Sequence, residues 1–96
     1  MVPDEMLDQV ARRFSMLGDA TRLRVLATLH EAGEASVGDL AALSGVPLAS
    51  VSQHLNRLAD AGLVGRTRQG TRVVYRIVDP TIEQLCSIVC GGVAAR

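Results

Sequence analysis

Lysine and tryptophan are absent from these 96 residues, and there is one phenylalanine and one tyrosine. A core without aromatic bulk must be assembled from Leu, Val, Ala and Ile, which suits a small helical protein. The length allows a single domain, 1–96, and so little core that pairing with a second copy is a natural way to bury more surface. No apolar run approaches the length of a membrane span, so no membrane partner is expected. The opening residues are acidic (Asp4, Glu5, Asp8) rather than basic as in an export signal. Two cysteines without such a signal read as reduced thiols in a cytoplasm rather than as a structural disulfide. No Ser/His/Asp set, phosphate loop or metal cluster is present, and the chain is therefore not expected to be an enzyme.

What is present is an uneven distribution of charge. The whole chain is neutral, and every one of its ten cations is Arg. From Pro47 to Arg76, however, five arginines (57, 66, 68, 72 and 76) face one acid, Asp60, which leaves +4. Residues 1–46 carry −3 and residues 77–96 carry −1. Phosphates respond to the local field, so a basic stretch within a neutral chain remains a candidate for nucleic acid. Arg can fork onto a phosphate or a guanine edge. Arg12, Arg13, Arg22 and Arg24 lie outside the stretch and read as a solvated face or as intramolecular ion pairs.

The basic stretch has a structural pattern. Val51, Leu55 and Leu58, with Leu63 just beyond, supply an apolar side to residues 46–61, and Ser50, Ser52, Gln53, His54 and Arg57 are left to project elsewhere. The helix stops near Ala61-Gly62, where Gly accepts a left-handed cap at little cost. Val64–Arg68 and Thr71–Ile77 then read as two strands meeting at Gln69-Gly70, a pair suited to a tight hairpin turn. Upstream, Met6, Leu7, Val10, Phe14 and Leu17 make a helical stripe over residues 4–17. Asp19 caps a second helix with Leu23, Leu26, Ala27 and Leu29 or His30 on successive turns, ending at Gly33. Ser36 and Asp39 form a capping box for a short third helix, and Gly45-Val46-Pro47 turns into the fourth. Leu40, Leu43, Val51 and Leu55 are expected to face inward across that turn. Asp79-Pro80 opens a last helix whose apolar face, Ile82, Leu85, Cys86, Val89, Cys90 and Val93, has no partner if the core is already filled. The fold class is thus mainly α with a β-hairpin wing, a winged helix-turn-helix whose order is four helices, two strands and a helix. Such a module offers a helix and a basic hairpin to double-stranded DNA.

Three stretches taken in order, LGDATRLRVLATL, SVSQHLNRLADAGLV and RTRQGTRVVYRI, resemble the ArsR/SmtB family of dimeric winged-helix repressors. The resemblance covers roughly residues 10–85 and rests on Asp19–Leu26, Val51–Leu55 and the Val-Tyr end of the wing together. It implies a repressor that binds a DNA operator as a homodimer through its first and last helices. It also implies DNA contacts at Ser50, Ser52, Gln53 and His54 on the recognition helix 46–61, and at Arg66, Arg68, Gln69 and Arg72 on the wing 64–77. Arg57, further along the helix, is open to DNA or to Asp60, and His54 to DNA or to a neighbouring side chain. Family members commonly carry Ser and Gln where this chain has Pro47 and Leu48, so its base readout departs from the usual pattern. The competing reading is a winged-helix regulator with no small-molecule effector, controlled by a protein partner or acting as an activator.

The family's sensor sites are mostly missing. Arsenic and cadmium sensors often carry Cys-x-Cys at the start of the third helix, but Glu34–Leu40 has no thiol. Zinc, nickel and cobalt sensors place an Asp and His set on the last helix. Here Asp79 survives, while Thr81 and Gly92 stand at other ligand positions. No metal site is expected from that set, because one carboxylate falls far short of a coordination shell. What remains is Cys86 and Cys90, four residues apart and so on one side of a helix. They are open to a metal ion or persulfide effector, or to packing as small apolar residues.

Overall fold

The structure is a computed structural model that describes residues 1–94, without the side chains of 89, 90 and 92–94. Its elements are α1 (Asp4–Leu17), α2 (Ala20–Ala32), α3 (Val37–Ser44), α4 (Leu48–Asp60), β1 (Val64–Gln69), β2 (Arg72–Ile77) and α5 (Pro80–Ala94). The order is that expected from the sequence, a winged helix-turn-helix. No helix among the described residues is long and apolar enough to cross a membrane.

Local chemistry explains the boundaries. The Asp19 carboxylate accepts from the Arg22 amide at 2.8 Å and starts α2. Ser36 and Asp39 complete a capping box at the head of α3, with bonds of 3.1 and 3.4 Å. Pro47 sits in extended backbone (φ −55°, ψ 143°), so α4 begins at Leu48 rather than at Val46. It ends where Gly62 takes φ 77° and the Leu63 amide reaches back to the Leu58 carbonyl at 2.9 Å. The hairpin pairs Gln69 with Arg72, so its turn is Gly70-Thr71, one residue later than expected. Only Gly70 has positive φ there (65°), which is the type II′ arrangement that suits strand twist.

The core gathers one row from each of α2, α3, α4 and α5. Val25, Leu26 and Leu29 of α2 meet Leu40 of α3, Val51, Leu55 and Leu58 of α4, and Ile82 of α5, all without solvent exposure. Burying each such side chain contributes about 1.5–3 kcal/mol. Three expectations need correction. The inward row of α2 is Arg22, Val25, Leu26 and Leu29, while Leu23 and Ala27 flank it. In α3 the inward row is Val37, Leu40 and Ala41, which leaves Leu43 off its edge and 68% exposed. In α5, Ile82 and Cys86 are not an unpartnered face but part of the core, because α5 packs on α2. The side chains of Val89, Cys90 and Val93, expected on the same face, lie outside the described residues.

Two further links hold the layers in place. Ala35 and Tyr75 exchange backbone hydrogen bonds of 3.1 and 2.8 Å, which ties the α2–α3 connection to β2. The sequence gives no local sign of this bridge. At the other side, Arg13 of α1 places Nε and Nη2 at 3.2 and 3.0 Å from Oδ2 of Asp79. Asp79 Oδ1 meanwhile accepts from the Thr81 and Ile82 amides at 2.9 and 3.2 Å, capping α5. Arg13 thus forms one of the expected ion pairs, whereas Arg22 is buried and donates to the Met16 carbonyl at 3.2 Å.

α1 is otherwise loosely covered. None of its residues is buried, and Met6, Leu7, Val10 and Phe14 stand 40–60% exposed along one stripe. The radius of gyration, 13.7 Å, exceeds the roughly 12.5 Å typical of a compact chain this long, as a projecting helix requires.

Burial pushes the Asp79 carboxyl up, but the Ile82 amide, the Arg13 guanidinium and the Thr81 amide outweigh it and hold its pKa below 3.8. Such a group stabilises the fold fully above its unfolded pKa and loses that effect as pH falls through the lower folded value. Asp79→Ala should therefore cost about 1–2 kcal/mol in urea unfolding at pH 7. The gap from wild type should narrow on acidification below about pH 4.

Candidate nucleic-acid interface

The burial of Val51, Leu55 and Leu58 decides what α4 presents. At 3.6 residues per turn, Ala49, Gln53, Asn56 and Asp60 fall opposite that row, and all four are exposed. Arg57 is exposed beside them, while Leu48 and Ser52 lie along one flank and Ser50 and His54 along the other. The polar residues expected on α4 are therefore spread over more than half its circumference. Gln53 and Arg57 are exposed, and Ser50, Ser52 and His54 are half-buried.

His54 has one ring nitrogen turned away from solvent, Nδ1, which has no hydrogen-bond partner among the described residues. It lies within electrostatic range of Asp19 at the start of α2. The Asp19 carboxyl is held below its ordinary pKa first by the Arg22 amide, and also by the charges of Arg22 and His54. Sequence reasoning passed over Asn56 and Ala49. The signal was available, since both share the outward face with Gln53 by helical spacing.

β1 leaves α4 directly through Leu63 and Val64, both buried, so the hairpin is anchored against the end of α4. Strand alternation then divides the wing side chains between two faces. Arg66 and Arg68 stand opposite Tyr75 and Val73 on one face, and Gln69 stands opposite Arg72 on the other. Arg66, Arg68, Gln69 and Arg72 are all exposed. Arg68 folds back to the Gly70 carbonyl at 3.3 Å, and Arg76 donates to the Thr67 hydroxyl at 3.1 Å. Arg72 pairs with the Asp39 carboxylate at the head of α3, bridging the wing to the helix-turn-helix. The Ser36 amide and hydroxyl, and then Arg72, hold the Asp39 carboxyl below its usual pKa.

The candidate sensor residues belong to α5, which packs on α2 and β2. Cys86 is 3% exposed, in the core beside Ile82, and the side chain of Cys90 lies outside the described residues. One residue on, the Ser87 hydroxyl meets Nε2 of His30 at 3.1 Å and links α5 to α2. Among the described residues, no group of three or more His, Cys, Asp or Glu is placed to hold a metal ion.

Comparison with known proteins adds sequence and fold relatives. Residues 17–66 match a family described as a helix-turn-helix domain. The transcriptional regulator KmtR of Mycobacterium tuberculosis is 44% identical over 84 residues, covering 88% of this chain and 64% of that protein. The chain thus spans a little under two thirds of that relative. The crystal structure of AntR, an antimony-specific transcriptional repressor, superposes with a TM-score of 0.89 at 33% identity, covering 99% of this chain and 86% of that one. The homodimeric winged helix-turn-helix DNA-binding domain Mb0332 of Mycobacterium bovis, a possible ArsR-family regulator, gives 0.81 at 34% identity, covering 97% and 88%.

The two sides of α4 should separate in mutagenesis. Leu55→Ala is expected to cost about 2–5 kcal/mol of stability. Gln53→Ala should stay within about 0.5 kcal/mol of wild type, as exposed substitutions usually do. Thermal and urea unfolding of both variants check this.

Proposed function

The chain belongs to the ArsR/SmtB family of winged-helix transcriptional regulators, and on that footing we propose that it is a cytoplasmic repressor that binds operator DNA, rather than an enzyme. The observation that carries the reading is α4 itself, with an inward row sealed in the core and an outward face that carries Gln53, Asn56 and Arg57, and Asp60 at its far end, beside an arginine-bearing hairpin. α4 enters the major groove, where Ser50, Ser52, Gln53, His54 and Arg57 meet base edges or phosphates. Arg66, Arg68, Gln69 and Arg72 bind backbone or a narrowed minor groove. Arg72 exchanges its Asp39 partner for a phosphate when the wing docks.

The functional unit is a homodimer, with residues 1–96 forming one winged-helix unit in each copy. The exposed stripe of α1 and the 70% exposed Ile88 of α5 support pairing through those two helices, and the Mb0332 domain is itself homodimeric. Two-fold symmetry sets the α4 helices about 34 Å apart on a palindromic operator.

Release from DNA works through α5. A metal ion or persulfide at Cys86 and Cys90 is the effector reading to test. It is favoured by the seat of Cys86 within the core, since added volume there displaces α5 from α2. A partner-controlled regulator without an effector is the competing case.

Fluorescence anisotropy on DNA from upstream of the protein's own gene tests the main reading. Arg68→Ala/Arg72→Ala should weaken binding to all sequences alike and lower the salt slope by about 2, roughly 1 per lost phosphate contact. An unchanged affinity and slope would remove the wing from the interface. For the effector, Cys86→Ser and Cys90→Ser should each abolish release by whichever of Zn(II), Cd(II), As(III) or polysulfide acts on wild type. Release that survives both substitutions places the effector elsewhere.

A further inference from the structure

The leading turn of α4 carries an apolar side chain that the fold does not use. Leu48 is the first residue of the helix and is 57% exposed. The core beside it is closed by Val46, 7% exposed, and by Val51, fully buried, so Leu48 is not needed there. Ala49, next to it, is also exposed. One turn on, Ser52 follows Leu48 and Gln53 follows Ala49 at the i, i+4 spacing that stacks side chains along one side. The first turn also contains no acid that would repel phosphate. The side of the leading turn formed by Leu48 and Ala49 is therefore apolar, with Ser50 beside it, and Ser52 and Gln53 behind it are polar.

The major groove offers such a turn one kind of partner. Adenine, guanine and cytosine show only donors and acceptors there, whereas thymine adds its C5-methyl group. An isobutyl group pressed against a guanine or cytosine edge leaves a polar group desolvated and unpaired, which costs affinity. Against a thymine methyl it buries apolar surface on both sides. Resting on the DNA-binding reading above, we infer that Leu48 reads a thymine methyl in each operator half-site. Leu48 is then a specificity residue for a thymine-bearing step, next to the positions read by Ser52 and Gln53. The preference comes from an apolar contact where the family commonly places a hydrogen-bonding side chain.

The test removes the methyl without altering the Watson–Crick pair. Selection from random duplex DNA with the full chain identifies the preferred site, and each thymine in one half-site is then replaced singly by deoxyuridine. Wild type should lose about fourfold in affinity at one such position, the size expected for one buried methyl. Leu48→Ala should bind the thymine and uracil duplexes equally, whereas Leu48→Met, which keeps an apolar reach, should retain the discrimination. Thermal unfolding confirms that both variants are folded. A penalty that persists unchanged in Leu48→Ala, or the absence of a uracil penalty at every thymine, overturns the assignment and leaves DNA binding intact. A selection that enriches no sequence overturns sequence-specific DNA binding itself, and this inference with it.

Discussion

The structure depends on one row of side chains, Val51, Leu55 and Leu58, being entirely inside the protein. A helix with 3.6 residues per turn cannot bury that row without turning Ala49, Gln53 and Asn56 to the opposite side. The aim of the presented surface is therefore a by-product of core packing. α2 and α3 supply the wall against which the row closes, and the Gly62 turn passes the chain directly into Leu63 and Val64. That continuity fixes the hairpin relative to α4 through buried contacts rather than through the exposed arginines. The outward residues remain available to a partner because the fold does not use them.

The polar links are of unequal weight. The Arg72–Asp39 pair is exposed at both ends, with 56% and 46% of the side chains accessible, and pairs of that kind contribute little to stability. Its effect is on orientation, since it holds the wing beside the head of α3. The Arg13–Asp79 pair is more enclosed, with the Asp79 side chain only 10% accessible. It is also coupled to a helix cap, since the same carboxylate serves the Thr81 and Ile82 amides. α1 has no buried residue of its own, so this pair is among its few specific ties to the rest of the chain. In a dimer built on the α1 stripe, the direction of that helix sets the distance between the two copies of α4.

Asp79 and Cys86 illustrate how family resemblance and local chemistry can diverge. Asp79 occupies a ligand position of the family's metal sensors, yet its two oxygens are engaged by backbone amides and a guanidinium. Cys86 has helical spacing to Cys90, yet its thiol is packed in the core. A response routed through α5 would therefore act on packing between α5 and α2, where His30 and Ser87 also meet.

Much of this was legible in the sequence, because the decisive signals are local. Capping residues at Asp19, Ser36/Asp39 and Asp79, the glycine at 62 and the alternation of the hairpin act within a few residues of where they stand. They determined the order and nearly all the boundaries of the elements. What the sequence left undetermined depends on contacts between distant segments. Helical periodicity marks the apolar residues without saying which neighbour covers them, so Leu43 faces outward and Cys86 inward. The Ala35–Tyr75 bridge, the Arg72–Asp39 pair and the half-burial of His54 likewise involve groups far apart along the chain. Only tertiary packing decides which side chains are spent on the fold and which are left for a partner, because burial is a property of the whole assembly of elements.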